Sequence, residues 1–236
     1  VLGGGLSILY TLAVHFGIEA LHPARGALRQ GVIFDLDERL DAARSARHQD
    51  MRDASVQQLQ HRFAVDTSQA ERVQALALAL YAQAWPEADL ETVRELGWAA
   101  ALHELGMMVS HHDHHRHSAY LLGHVDAPGF SQSQQRRLGE LVLAQRGGLR
   151  KMEVALAQTL FAWQALCLRL AIILCHARSD VDPSAVALRR AGGSATLRLE
   201  PPWAEAHPRT LHLLNEEVDT WARSGVLRLA LRRAAG

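Results

Sequence analysis

The stretch from Glu153 to Ala177, EVALAQTLFAWQALCLRLAIILCHA, constrains the fold more than any other part of the chain. It is almost continuously apolar and long enough to span a bilayer, but Gln158, Gln164 and Arg169 interrupt it. A central arginine alone costs about 2.5–3.5 kcal/mol on membrane-insertion scales. The segment is therefore expected to be the buried central helix of a helical domain, and no membrane span is expected. Phe161 and Trp163 should lie in its core. Arg169 then needs a buried acceptor, and Glu104 is the partner expected for it.

The rest of the chain must cover that helix. Its 236 residues suffice for one large domain or two modest ones, and 48% apolar residues can build a real core. Acidic and basic residues balance to zero with histidines neutral, so no overall field draws nucleic acid, and no such partner is expected. Cys167 and Cys175 stand eight positions apart. On a helix that is about 12 Å, too far for a disulfide. Neither belongs to a C-x-x-C pair, and a reducing cytoplasm fits this cysteine usage. The opening VLGGGLSILY has no initiator Met and no basic signal-peptide flank, and reads as a piece of a longer protein.

Three stretches differ in grammar. Residues 1–40 read as α/β, with a Gly-rich turn, an apolar helical pattern, and a short strand around Val32, Ile33 and Phe34. Residues 41–180 read as helical. Asp66 with Gln69, and Ser131 with Gln134, have capping-box spacing before apolar-periodic runs. In residues 181–236, SATLRLE and VLRLAL alternate like strands and flank the helical LHLLNEEVDTWA, with Trp203 as an anchor for this tail.

Five histidines crowd into His111–His117. Imidazoles at i and i+4, such as His111 and His115, can share a metal on a helix. A complete ligand set would be that of HD-type phosphohydrolases: a His, an adjacent His-Asp, and a later Asp that hold a divalent ion activating water against a phosphate ester. The matching positions here are Gln69, His103, Glu104 and Ile172. Gln is a poor ligand, Glu displaces the oxygen by a methylene, and Ile cannot coordinate. A metal centre is thus not expected, and His103 and Glu104 fit a hydrogen-bonded core. Two alternatives stay open: an independent metal-dependent HD phosphohydrolase, and a non-enzymatic binding module whose His-rich helix senses pH or sequesters a metal.

The run HELGMMVSHHDHHRHSAYLLGHVDAPGFSQSQQ resembles the signature region of the exopolyphosphatase / guanosine pentaphosphate phosphohydrolase (Ppx/GppA) family. There the pattern is roughly H-E-[IVL]-G, then H-x-x-x-H-[RK]-H-S-x-Y, then L-P-G-F-S. His103, Glu104, Gly106, His111, His115, Arg116, His117, Ser118 and Tyr120 match in order, followed by Pro128, Gly129 and Phe130. LGGGLSIL and GALRQGVIFDL look like the end of the family's actin-like phosphatase module. Gln30 stands where members usually have Glu, and Ala127 replaces the Leu of L-P-G-F.

The resemblance implies a mainly α chain: a degenerate HD-like helical body (41–180), preceded by the end of an actin-like (ASKHA) domain (1–40) and followed by a small α+β tail (181–236). It implies the C-terminal part of a bacterial, cytoplasmic, dimeric hydrolase that releases terminal phosphate from inorganic polyphosphate or guanosine pentaphosphate. The full-length enzyme would use Mg²⁺ and a catalytic Glu in the actin-like module. No catalytic residue and no cofactor are expected in this chain. Gly3, Gly4 and Gly5 would form the module's nucleotide-type glycine turn, or a plain tight turn. Substrate binding would fall to His111, His115, Arg116 and His117, extended by Arg146, Arg150 and Lys151, because cationic donors match phosphoryl oxygens. A solvated loop at 146–151, and a buried network around His115 and His117, fit the same residues.

Overall fold

A computed structural model describes residues 2–18, 20 and 51–233. The chain divides into two compact units, Val1–His48 and Gln49–Gly236. In the first, helix α1 (Leu2–Phe16) carries Gly3, Gly4 and Gly5 in its opening turn. This corrects the expected glycine turn. The Leu- and Ala-containing run behind these residues favours helix, and it draws the glycines into its own hydrogen-bonding pattern. Gln30 and the strand expected at Val32–Phe34 lie outside the described residues.

The second unit is organised around helix α8 (Thr159–Leu174), in which every residue from Phe161 to Ala171 is buried. Packed against it or its neighbours are α2 (Met51–Arg62), α3 (Thr67–Ala84), α4 (Leu90–Ala101), α5 (His114–His124) and α6 (Gln132–Ala144). The apolar run is not one continuous helix. A 3₁₀ turn (Leu149–Met152) leads into the short α7 (Glu153–Leu156), and Gln158 is extended before α8 starts. The break puts the Gln158 amide where Arg137 donates to it at 2.8 Å. Among the described residues, no helix is long and apolar enough to cross a membrane.

Local chemistry starts these helices where the sequence predicts. Ser131 accepts from the Gln134 N–H while the Gln134 side chain accepts from the Ser131 N–H, a complete capping box. Asp66 likewise accepts from the Gln69 N–H at 3.0 Å. The Gln69 amide turns away, however, and donates to the Cys175 carbonyl at 2.9 Å. That box is half made because its glutamine serves the end of α8.

The tail forms a three-stranded sheet ordered β1 (Val186–Ala191), β2 (Ser194–Leu199), β3 (Arg228–Arg233). β1 and β2 are an antiparallel hairpin turning at Gly192, whose φ of +57° suits glycine. β2 and β3 run parallel, which requires a crossover. Helices α9 (Pro201–Ala206) and α10 (Pro208–Ser224) supply it. The alternation of SATLRL is borne out, with Ala195, Leu197 and Leu199 buried. β1 is a strand the sequence does not announce. Its far half, Arg189-Arg190-Ala191, is polar and largely uncovered, and its order comes from pairing with β2. Trp203 stacks on His207 at 4.3 Å and stays half-buried, whereas Trp221 is wholly buried.

The polar residues that interrupt the central helix all find partners. Gln164 donates to the Thr92 carbonyl and to Glu95, both at 2.9 Å. Arg169 meets Glu217 of α10 in a two-pronged pair, with Nη2 donating to Oε2 at 2.7 Å, and its Nη1 donates to the Ala144 carbonyl at 2.7 Å. The expected Arg169–Glu104 pair does not form. α8 turns Arg169 toward α10, and Glu104 accepts from Arg178, just past the end of α8, at 2.8 Å. Trp221 Nε1 donates to Glu217 Oε1 at 2.6 Å, which completes the buried acceptor's partners.

Both side chains of the Arg169–Glu217 pair are 5% exposed. Removing one partner leaves a buried charge uncompensated, so Glu217→Ala should lower unfolding free energy by about 3–5 kcal/mol in urea titrations. A loss below about 1 kcal/mol would contradict the role given to the pair. His103 supplies a second expectation. It is buried, its Nδ1 donates to the Ala100 carbonyl at 2.7 Å, and burial pushes its pKa down from 6.5 to about 4. The unfolded chain therefore takes up a proton at His103 that the folded chain refuses. Its contribution to stability is full above pH 6.5 and is lost as pH falls toward about 4. His103→Asn should flatten the fall in stability across that window by about 1.4 kcal/mol per pH unit. An unchanged slope would show that His103 is not held neutral.

Candidate functional site

The histidine-rich segment is organised by a close backbone approach. After α4 ends, a 3₁₀ turn (Leu105–Met108) lies against the start of α5. A Cβ on Gly106 would sit 2.3 Å from the His114 carbonyl oxygen and 2.4 Å from the Ser118 nitrogen, so only glycine fits. The Gly106 N–H donates to Ser118 Oγ at 2.7 Å, and that hydroxyl donates to the His103 carbonyl at 3.2 Å. Gln145 Nε2 donates to the same carbonyl at 2.9 Å. His103, Gly106 and Ser118 of the signature thus form a clamp between α4 and α5, joined to the end of α6 through Gln145.

The clamp decides where the histidines go. Asp113 enters α5 in the left-handed conformation (φ 55°), a state that Asp tolerates. His114 and His115 turn inward and are buried, while His111 and His112 stay exposed and His117 is half-buried. Arg116 points outward and pairs with Asp113 at 3.2 Å. Burial, aided by the neighbouring His103 and Arg146, pushes the His114 pKa down to about 4. His115 is lowered as well, chiefly by burial.

The four HD-type positions do not assemble into a ligand set. Gln69 is held at the Cys175 carbonyl. His103 Nε2 is 4.0 Å from Glu104 Oε1, but the Arg178 guanidinium occupies the space a cation would take. It donates to Glu104 at 2.8 Å and to Asp66 at 2.6 Å. Ile172 faces elsewhere, into the cleft described next. Among the described residues, no three His, Cys, Asp or Glu side chains are arranged to hold a metal ion.

A cleft of about 1270 Å³ opens between the loop after α6, the second half of α8, and α10. One wall is the segment Gln145–Arg150, where Gly147 takes φ +78° and leaves the backbone uncovered. The floor includes Arg169, Ile172 and Ile173, and α10 forms the facing wall with Arg209, Leu213, Glu216 and Arg223. Of the residues expected to bind substrate, Arg146 and Arg150 line this cleft. His111, His115, Arg116, His117 and Lys151 do not. The buried His114, not singled out from the sequence, does. Arg209, His176 and Arg223 are further residues that sequence reasoning passed over. Arg209, Glu216 and Arg223 recur at seven-residue steps, which places them on one helical face. That spacing was the available signal. Burial, then Arg209 and His207, lower the His176 pKa, and His176 Nε2 lies 3.0 Å from Thr210 Oγ1.

Such a cleft can take an anion. Arg146, Arg150 and Arg209 make no hydrogen bond or ion pair among the described residues, so their guanidinium donors are available. Arg169 is fully engaged by Glu217 and contributes little net charge.

The family model described as Ppx/GppA phosphatase, domain III, matches residues 51–218. The guanosine-5'-triphosphate,3'-diphosphate pyrophosphatase of Vibrio cholerae serotype O1 is 34% identical over 215 residues, covering 89% of this chain and 42% of the relative. The protein of that name from Photobacterium profundum is 33% identical over 221 residues, 92% of this chain and 43% of the relative. The one from Pseudoalteromonas translucida is 30% identical over 227 residues, 94% and 44%. The chain spans less than half the length of these curated relatives. With its signature clamp and a family match running from α2 into α10, this chain belongs to the Ppx/GppA phosphatase family.

Proposed function

We propose that this chain is the C-terminal part of a cytoplasmic phosphatase that hydrolyses the terminal phosphoanhydride bond of guanosine pentaphosphate or of inorganic polyphosphate. In that reaction a water oxygen bonds to the terminal phosphorus. The bridging oxygen leaves with the shortened substrate, and the water proton passes to a carboxylate of the catalytic module. That module is the actin-like domain whose end is read in residues 1–40. Mg²⁺, when bound there, neutralises charge on the phosphoryl oxygens. It is not assigned to this chain, where Arg178 already occupies the Asp66 and Glu104 carboxylates.

This chain contributes a degenerate HD-like body that binds substrate, sets specificity and supplies dimer contacts. The observation that carries the reading is the cleft. Arg146 and Arg150, which make no hydrogen bond or ion pair among the described residues, flank Gly147 and Gly148, glycines that let a phosphate approach backbone N–H groups. The names of the relatives, guanosine-5'-triphosphate,3'-diphosphate pyrophosphatases, fit a phosphoanhydride substrate. The independent HD phosphohydrolase is disfavoured by the same Arg178 bridge.

In the longer protein, replacing both Arg146 and Arg150 by Ala should raise KM for the phosphoanhydride substrate by about tenfold or more. The value of kcat should change far less, because these residues bind the substrate remote from the bond broken. Steady-state phosphate release over a range of substrate concentrations reads both constants. An unchanged KM would remove the cleft from substrate binding, and an equal fall in kcat with constant KM would place the two arginines in the chemical step.

A further inference from the structure

The tail sheet segregates charge. Arginine fills two positions of β1, one of β2 and three of β3, and none of these strands holds an acidic residue. Strand pairing sorts the side chains by face. Leu188, Leu197 and Leu231 share one row and Ala195 pairs with Leu229 in another, and these turn toward the helical body. Arg190 is on that side too, over the Trp85 ring and paired with Glu87. The opposite face holds Arg189, Arg198, Arg228 and Arg232, all of them exposed.

In isolation this arrangement costs stability. Arg198 lies directly opposite Arg232 in the β2–β3 register, on strands about 4.8 Å apart. Arg189, opposite Thr196, is the diagonal neighbour of Arg198. Like charges placed opposite one another in a sheet are destabilising. The guanidinium groups of all four arginines make no hydrogen bond or ion pair among the described residues. The other positions of the face are alanines, Ser194 and Thr196, so no carboxylate offsets the charge there. Glu200 follows the end of β2 and pairs with no cation among the described residues. The neutrality of the whole chain, which argues against a nucleic-acid partner, is an average that does not describe this face.

Such a surface suits a polyanion. Guanidinium forks match phosphate oxygens two at a time. The small residues between them let a phosphate backbone lie close, and the Ser194 and Thr196 hydroxyls are further donors. A protein partner finds aromatic or Met anchors at the centre of an interface, and stable membrane anchoring takes an apolar insertion or a second signal. The face has no large apolar side chain for either. We propose that the outer face of the tail sheet binds the phosphodiester backbone of a nucleic acid. With no aromatic ring on the face to stack a base, it holds the strand without regard to sequence. This function is separate from the cleft and does not rest on the phosphatase reading.

Fluorescence anisotropy of a labelled, mixed-sequence RNA strand, titrated with the 236-residue chain at stepped salt concentrations, tests this. Binding should be saturable, and log affinity should fall against log salt with a slope of about −3, as four phosphates contacted on a single strand require. Arg198→Gln with Arg232→Gln should weaken binding by about tenfold or more and make the slope shallower by about 1.4. That double variant separates like charges, so in urea it should unfold no more easily than the parent. Arg136→Ala, which removes an exposed arginine on α6, should leave RNA binding unchanged. No binding at low salt, or binding indifferent to the double substitution, would overturn the proposal. So would RNA binding lost instead on replacing Arg146 and Arg150, which would move the contact to the cleft. Capture of phosphatidylserine vesicles in place of RNA would assign the face to a membrane surface and overturn it as well. Marked destabilisation of the double variant would show the two arginines to be structural, with the same consequence.

Discussion

The second unit is organised around one buried ion pair. Arg169 reaches out of a helix that is otherwise apolar and meets Glu217, with the Ala144 carbonyl and Trp221 completing the set. Three elements are joined in this way: the central helix, the end of α6, and the crossover helix of the tail. Because a buried pair gains little over well-packed apolar residues, its main consequence is geometric. It holds α10 at a set position against α8, and the space left beside that contact is the cleft. Because the pair neutralises itself, the charge of the cleft is decided by the residues on its walls.

A second constraint meets the first at Gln145. The Gly106 approach forces α5 to start where it does, and Ser118 and Gln145 converge on the His103 carbonyl. The signature run thus acts mainly through backbone placement, and its most obvious feature, the string of histidines, is divided by the clamp. Some of these rings go to solvent and others into the body, where burial holds them neutral. What reaches the cleft from this region is His114 and Gln145. The clamp therefore links the best-matched part of the sequence to the cleft without lining most of it.

Much of the fold was legible because it depends on local rules. Ser131 and Asp66 mark helix starts by chemistry confined to four residues, and the alternation of Ala195, Leu197 and Leu199 states which face of β2 is covered. The buried central helix followed from length, hydropathy and a misplaced charge. What stayed hidden depends on distant partners. Glu104 and Glu217 are equally plausible acceptors for Arg169 until the direction in which α8 presents it is known. β1 carries two arginines in its exposed far half, and that half owes its order to pairing with β2. Gly3–Gly5 look like a turn by composition, yet the helix-forming residues after them decide otherwise. At the site, the local clustering of Arg146 and Arg150 was readable, but the facing wall lies some sixty residues further along, and only heptad-spaced charges on α10 hinted at it. The histidines attracted attention by density, which says nothing about which way each ring points.

In the function proposed above, phosphorylated ligands meet this chain in the cleft between residues 145–153 and α10, and not at the histidine run. Hydrogen–deuterium exchange on the chain with and without guanosine pentaphosphate tests it most directly, because both regions report separately in one experiment. Ligand-dependent protection is expected over residues 145–153 and 209–226, with His111–His117 unaffected apart from the His114 end. Protection centred on the exposed face of His111–His117, with 209–226 unchanged, would contradict it and return the histidine cluster to the role of ligand site.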